Sequence, residues 1–412
     1  MLCVAAARLP STFTAWTLSR AKGSPTLWTC AASLVLRASP THHSFWRNIF
    51  ALPQNGLHGE IFSPKLLPWR LLGARTVPKR TLPEILTEGL FEHPAVQAWL
   101  QVRSDSREPD TLEVLQQRKY SSVYRIHEQD GTRVIAKKCR LTTARIEYLI
   151  YSELLPRAGV PALHCYGLLE EQEGDRCWLF LEDAAGARYS RQIAENRALA
   201  GRWLAEAHLI TVPEDLRSCF PARELDYYLR LLHGSRAILL HQLDKNELPA
   251  DDTAVFCRLI AHLDSLESLW GELEEICSLM PRSLVHGDFV DKNLRICDAA
   301  TGPRLLVFDW EYAGWGVPAA DLAQFIDRVA SPDLSLYCSI LRGKYSHLSL
   351  RDVQTVAACG NLLRMVDQLS WTTVGRVFVC SDSLVKTKAM VMLQFHECLL
   401  TEALSAFQRS YA

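Results

Sequence analysis

Two short apolar runs, each broken by acidic or amide side chains, constrain this chain more than any other feature. Leu284-Val-His-Gly-Asp-Phe-Val-Asp-Lys-Asn-Leu-Arg-Ile296 puts His286, Asp288 and Asn293 on a tight loop between apolar stretches. Leu305-Leu-Val-Phe-Asp-Trp-Glu311 follows, with Asp309 closing a second run. Apolar runs of this length read as strands, so the segment predicts a strand, a loop and a hairpin that present these side chains from one edge of a sheet. That donor set suits phosphoryl transfer from Mg-ATP: one carboxylate orients an accepting hydroxyl, while an amide oxygen and a second carboxylate hold magnesium on the phosphates. His-Gly-Asp alone is ordinary turn chemistry. The spacing HxDxxxxN, the run ending Asp-Trp-Glu and the later Gly314-Trp-Gly-Val-Pro-Ala-Ala-Asp-Leu-Ala323 together say more.

In combination, His286 to Asn293 and Phe308 to Ala323 resemble the catalytic and metal-binding motifs of the aminoglycoside phosphotransferase and choline kinase-like superfamily. The resemblance implies Asp288 as the catalytic carboxylate and Asn293 and Asp309 as magnesium ligands. It implies a loop-bracing part for His286, and for Asp321 a structural part near the start of the following helix, where a carboxylate is favoured. Trp310 stands where protein kinases have Phe, and no Ala-Pro-Glu follows. The expected cosubstrate and ion are ATP and Mg2+.

An N-terminal lobe should precede such a site. Thr111 to Gln117 and Val123 to Ile126 read as strands, and Asp130-Gly131 supplies a hairpin turn into Arg133-Val-Ile-Ala-Lys-Lys138. Lys119-Tyr-Ser-Ser122 lies between the first two as the phosphate loop; it lacks glycine, and Ser121 and Ser122 resemble the serine-bearing loops of aminoglycoside kinases. Strand alternation sends Lys137 and Lys138 to opposite faces, so only one reaches phosphate; Val134-Ile-Ala-Lys137 resembles the family's apolar-apolar-Lys pattern, and the resemblance favours Lys137. A helix from about Thr143 to Leu155 carries Glu147, whose spacing to Val160-Pro161 matches the family glutamate that pairs with the strand lysine. Glu153 reads as a solvated helix residue. Trp178-Leu-Phe-Leu-Glu182 resembles the strand entering the hinge, with the backbone of Glu182, Asp183 and Ala184 expected at adenine. His208, on a helix from about Ala198 to Leu209, reads as a packing residue.

The 412 residues suffice for one two-lobed domain and an extension, and 48% hydrophobic residues can fill its core. A net charge of -1 gives no global field for nucleic acid or an anionic membrane. Thirteen dispersed cysteines, without a CxxC pair, read as reduced thiols. From Met1 to His58 there are Arg8, Arg20, Lys22, Arg37 and Arg47 and no acid, the profile of a mitochondrial transit peptide, with a cytoplasmic protein bearing an unaddressed tail as the alternative. No apolar run is long enough to span a bilayer, and no obligatory protein partner is indicated.

The expected fold is α+β and protein-kinase-like: a targeting or disordered extension over residues 1–80, an N-lobe with an antiparallel sheet and one helix over 81–183, and a mainly helical C-lobe over 184–412. Short helices are expected between Glu84 and Leu100, and longer ones over Leu322 to Val329, Asp352 to Leu369 and Val385 to Phe407, from apolar spacing of three and four. Tyr337, Trp310, Trp315 and Trp371 are candidate liners of an acceptor pocket, although aromatics at helical spacing are more often core residues. The activity expected is ATP-dependent phosphorylation of a hydroxyl on a small polar metabolite, such as an amino alcohol, sugar or amino acid. A silent nucleotide-binding scaffold and a protein kinase are the other readings. Glu311-Tyr312 resembles the choline kinase sequence at this point and favours a cationic amino alcohol.

Overall fold

The computed structural model describes residues 84–411, apart from 104–107, 119–120, 173, 246–247, 301 and 375–382. The extension with its expected transit segment, and Lys119 and Tyr120 of the phosphate loop, lie outside the described residues.

The N-terminal half is built on strands β1 (Glu84–Leu86), β2 (Pro109–Gln117), β3 (Ser122–Glu128), β4 (Arg133–Arg140), β5 (Cys165–Glu170) and β6 (Arg176–Glu182). They form one antiparallel sheet in the order β1-β2-β3-β4-β6-β5. The β3-β4 turn follows from its sequence. Gly131 takes φ 86°, a left-handed conformation that costs glycine little, and the Asp130 carboxylate accepts from the Thr132 amide at 2.8 Å. Alternation divides β4 between two cores. Val134 and Ala136 face Tyr124, Ile126, Trp178 and Phe180 beneath helix α1 (Pro94–Val102). The opposite face meets helix α2 (Leu141–Leu149), which runs on through a π turn, Ile150–Leu154. Expected helix at Glu84 to Leu86 is instead an edge strand on β2, so only the later part of that stretch is helical.

The second half holds α3 (Ala194–His208), α4 (Leu225–Asp244), α5 (Ala250–Ser268), α6 (Trp270–Cys277), α7 (Leu334–Leu341), α8 (Leu350–Thr372) and α9 (Ser383–Tyr411). Two small three-stranded sheets sit among them. One orders β11 (Gly302–Val307), β10 (Leu294–Ala299) and β7 (Ala187–Arg188); the other orders β8 (Ala222–Arg223), β12 (Gly314–Gly316) and β9 (Ser283–Val285). Asp333 caps α7, and a reciprocal Ser349/Asp352 capping box starts α8. This is the expected α+β, kinase-like architecture.

The helix expected over Leu322 to Val329 does not form. A 3-10 turn, Pro318–Leu322, ends there, and the following backbone pairs with the loop after β9 instead: Ala330 N–H donates to Phe289 O at 3.2 Å, Asp291 N–H to Arg328 O at 3.0 Å, and Val290 bridges Val329. Phe325 and Asp327 take positive φ to make that path. Asp321 therefore lies inside a short turn rather than at a helix start.

Gly360 sets how closely α8 approaches this turn, because a Cβ there would collide with the Ala319 carbonyl. Gly360→Ala should lower unfolding free energy by roughly 1–3 kcal/mol through overpacking, measured as a shift of the urea midpoint. An unchanged midpoint would mean that α8 can withdraw freely.

Candidate active site

The β10-β11 hairpin explains how distant residues meet. Leu294 pairs with Val307, and Phe308 N–H donates to Asn293 O at 3.1 Å, so Asn293 and Asp309 flank the open end of one ladder, away from the turn between Ala299 and Gly302. Asp309 has φ 68°, an unusual left-handed value for a residue with a side chain. That conformation turns the chain sharply after β11.

From the other lobe, Lys137 comes down on β4. Its Nζ lies 2.7 Å from Glu147 Oε1 on α2 and 2.7 Å from Asp309 Oδ1. Burial opposes the lysine's charge, but the two carboxylates hold its pKa well above the usual value. They fare differently. Glu147 is wholly buried, its Oε2 has no partner, and burial outweighs Lys137 to push its pKa up to about 7. Asp309 is also opposed by burial, yet Lys137 keeps it below the usual carboxylate range.

The same alternation corrects the placement of Lys138 and Ser122. They stand opposite each other on the outer face. Lys138 pairs with Glu171 at 2.5 Å and lies over the Trp178 ring, away from the cleft. Ser121 does reach the cleft, where its hydroxyl accepts from Gln116 Nε2 at 3.3 Å. The cleft, about 610 Å³, has apolar walls that include Leu115, Val123, Ile135, Leu163, Leu181 and Phe308, and Lys137, Asn293 and Asp309 also line it. This size and mixture are usual for a small-ligand site.

At the hinge, Glu182 N–H donates to His164 O at 2.8 Å and Asp183 N–H to Arg133 O at 3.3 Å. The Asp183 carboxylate is gripped by Arg125 at 3.1 and 3.2 Å. Among the described residues nothing accepts from the Ala184 amide, which leaves it available to a ligand edge.

Asp288 sits on the loop after β9. Gly287, at φ 78°, must be glycine, since a Cβ would strike the Tyr312 carbonyl. Buried Asp321 accepts from the amides of His286 at 2.6 Å and Gly287 at 2.9 Å. His208 Nε2 lies 3.5 Å from Asp321, and His208 Nδ1 bonds the Tyr337 hydroxyl at 2.8 Å, so this histidine is a packing residue as expected. His286 Nδ1 accepts from Asp288 N–H at 3.2 Å, which leaves Nε2–H to donate to Phe308 O at 3.2 Å. That neutral tautomer agrees with a pKa lowered by burial. Trp310 and Tyr337 are core residues rather than pocket liners: Trp310 packs on His286 with ring centroids 4.5 Å apart.

The Asp288 carboxylate is crowded by donors. Lys292 Nζ and Asn293 Nδ2 each lie 3.1 Å from Oδ2, and Arg364 Nη2 lies 3.0 Å from Oδ1. Burial works against the charge, but Arg364 and then Lys292 hold its pKa below the usual range. Arg364 and Asp367, both on α8, were not singled out from sequence. The available signal was a charged pair embedded in the apolar run Leu362-Leu-Arg-Met-Val366 and Asp367.

Magnesium would need hard oxygen donors. Asn293 donates through Nδ2 to Asp288, which leaves its Oδ1 uncommitted, and Asp309 uses only Oδ1 on Lys137. Among the described residues no cluster of three His, Cys, Asp or Glu forms a metal cage. An ion at this site would be held by these one or two protein oxygens and by phosphates.

A family profile described as "Phosphotransferase enzyme family" matches residues 111–344, and the chain belongs to that family. It is a small-molecule kinase, a phosphotransferase with a hydroxyl acceptor. Among solved structures, the chain is similar to an ethanolamine kinase of Plasmodium vivax, at 14% identity and TM-score 0.52, covering 79% of this chain and 93% of that one. It is also similar to a spectinomycin phosphotransferase in complex with ADP and spectinomycin, at 10% identity and TM-score 0.50, covering 72% of this chain and 94% of that one. These likenesses concern the fold. A comparison with curated protein sequences finds no match.

Because the Glu147 pKa is raised to about 7, the folded state binds a proton that the unfolded chain has released between about pH 4.5 and 7. Stability from this group is therefore present at low pH and lost as pH rises through 7. Relative to Glu147→Gln, the unsubstituted chain should lose up to about 3 kcal/mol between pH 5 and 8. Parallel stability curves for the two proteins across that range would refute the assignment.

Proposed function

We propose that the chain transfers the γ-phosphoryl group of Mg-ATP to a hydroxyl of a small polar metabolite. The observation that carries this reading is the bridge from Lys137 to both Glu147 and Asp309 within a cleft that Asn293 also lines. In this reading Lys137 neutralises nucleotide phosphate, Glu147 orients Lys137, and Ser121 adds a hydroxyl at the phosphate end. Asn293 Oδ1 and Asp309 would hold magnesium, which supplies charge neutralisation on the phosphates when bound. The backbone around Glu182, Asp183 and Ala184 meets the purine, with the Ala184 amide as the open donor. Asp288 orients the accepting hydroxyl; its depressed pKa suits an orienting carboxylate better than a strong base.

An amine-bearing acceptor is favoured. Asp367, part-exposed on α8, lies near Asp288 with Tyr227 and Tyr312 beside it, and half-exposed Trp371 stands one turn further along the helix. Carboxylate and aromatic faces together suit a small cation. Ethanolamine, named for one fold neighbour, is of this type. The acid-free first 58 residues support a mitochondrial address, which a fusion of residues 1–80 to a fluorescent protein would test by imaging.

The deciding experiment incubates the chain with Mg-ATP and a panel of amino alcohols, sugars and amino acids, and follows new phosphate esters by mass spectrometry. Asp288→Asn should keep nucleotide affinity and lower kcat by about 10³-fold or more. Full activity in that variant would refute the role of Asp288. Lys137→Met should weaken Mg-ATP binding by roughly tenfold or more, whereas Lys138→Met should leave it within about twofold. Equal effects from the two lysines would sink the assignment. Asp309→Ala should weaken nucleotide binding only when magnesium is present.

A further inference from the structure

Arg364 is the least expected group near the reacting centre. It lies outside the motifs and outside the matched span 111–344, yet it touches the loop those motifs form. Its side chain is 4% exposed. Nη1 donates to Gly287 O at 2.6 Å and to Asp367 Oδ2 at 3.2 Å, and Nη2 donates to Asp288 Oδ1 at 3.0 Å. The guanidinium thus grips both the backbone and the side chain of one loop segment from a helix that is itself fixed by Gly360 against the Asp321 turn.

The lone pairs of Asp288 give this grip a consequence. An ionised carboxylate offers about four acceptor sites. Arg364 occupies one on Oδ1, while Lys292 and Asn293 both approach Oδ2. Lys292 is a half-exposed side chain on a flexible stem, and Asn293 is the residue assigned to magnesium. Arg364 and Asn293 are both buried and planar, but Asn293 is committed to magnesium in this reading, which leaves Arg364 as the buried donor free to hold the carboxylate. Rotation of the Asp288 carboxylate would break its bond to Arg364, and movement of the loop would break the bond at Gly287.

We propose that Arg364 is a positioning residue for phosphoryl transfer: its guanidinium fixes the rotation of the Asp288 carboxylate and the height of the loop, so that the remaining Oδ1 lone pair meets the acceptor hydroxyl. This rests on the reading that Asp288 orients that hydroxyl. The loss of a purely structural arginine would act on stability alone, whereas the loss of a positioning one acts on kcat as well. Lysine cannot reproduce the effect, because an ammonium offers a point charge in place of a planar fork.

The test is a double-mutant cycle of Arg364→Lys and Asp288→Asn, with kcat, KM for Mg-ATP and melting temperature measured on all four proteins. Arg364→Lys should lower kcat by roughly a hundredfold, the scale of a small misplacement of a reacting group, and leave KM for Mg-ATP within about twofold. In the Asp288→Asn background the same change should cost less than about threefold, since the group it acts through is already lost. Full kcat in Arg364→Lys, or equal losses in both backgrounds, overturns the inference. Should the lysine variant fail to fold, Arg364→Gln is read by the same criteria, because it keeps an amide donor without the fork. No turnover in the unsubstituted chain would overturn the phosphotransfer reading and this inference together; turnover that survives Arg364→Lys overturns this inference alone.

Discussion

One buried ammonium, that of Lys137, ties strand β4 and the helix α2 that directly follows it to Asp309, 172 residues further along the chain and just past β11. A lone lysine could not stay charged at this depth, and neither could the two carboxylates without it. The attraction is shared unequally. Glu147 is sealed, and its pKa has risen to about 7; Asp309 is about one-third exposed and keeps its charge. These partners take two of the three N–H donors of Lys137, which leaves one for an anion.

Below that bridge, precision comes from polar groups buried under aromatic cover. Asp321 holds two loop amides, His208 and Tyr337 steady Asp321, and the Trp310 ring packs at a tilt against His286. Each buried polar atom left unpaired would be costly, so the network has few alternative arrangements. Glycine at 287 lets the loop lie directly on the Tyr312 carbonyl. The result is a loop set by backbone contacts, which leaves the side chains of Asp288 and Asn293 to be directed by their own partners.

Much of this was legible in the chain because local signals and long-range pairing agreed. Asp130-Gly131 marked its hairpin, and HxDxxxxN with Asp-Trp-Glu marked the hairpin that joins Asn293 to Asp309. The choice between Lys137 and Lys138 was harder, since both faces of β4 are buried and periodicity alone cannot tell one core from the other. Leu322 to Val329 has helical spacing, but its backbone is claimed by the catalytic loop, a tertiary demand that no window of sequence displays. Arg364 was invisible for a related reason. Its partners Gly287 and Asp288 are far away in the chain, and an arginine within an apolar helical run carries no sign of which loop it will meet.

Helix α8 then carries two jobs along one face. At its inner end Arg364 is buried against the loop; one turn on, Asp367 is part-exposed; a further turn on, Trp371 is half exposed. Burial raises the Asp367 pKa against the pull of Arg364, so the carboxylate is less firmly charged than its neighbour Asp288, whose pKa is depressed. A cation arriving from solvent would restore the balance at Asp367 without touching the bond between Arg364 and Asp288. The division has a physical basis: Arg364 is inaccessible and bonded on several sides, while Asp367, held by Arg364 and Tyr227, and Trp371 are partly open to solvent. Under the proposed function, substitutions at the outer turns alter which acceptor is taken and leave the reacting geometry to the inner one.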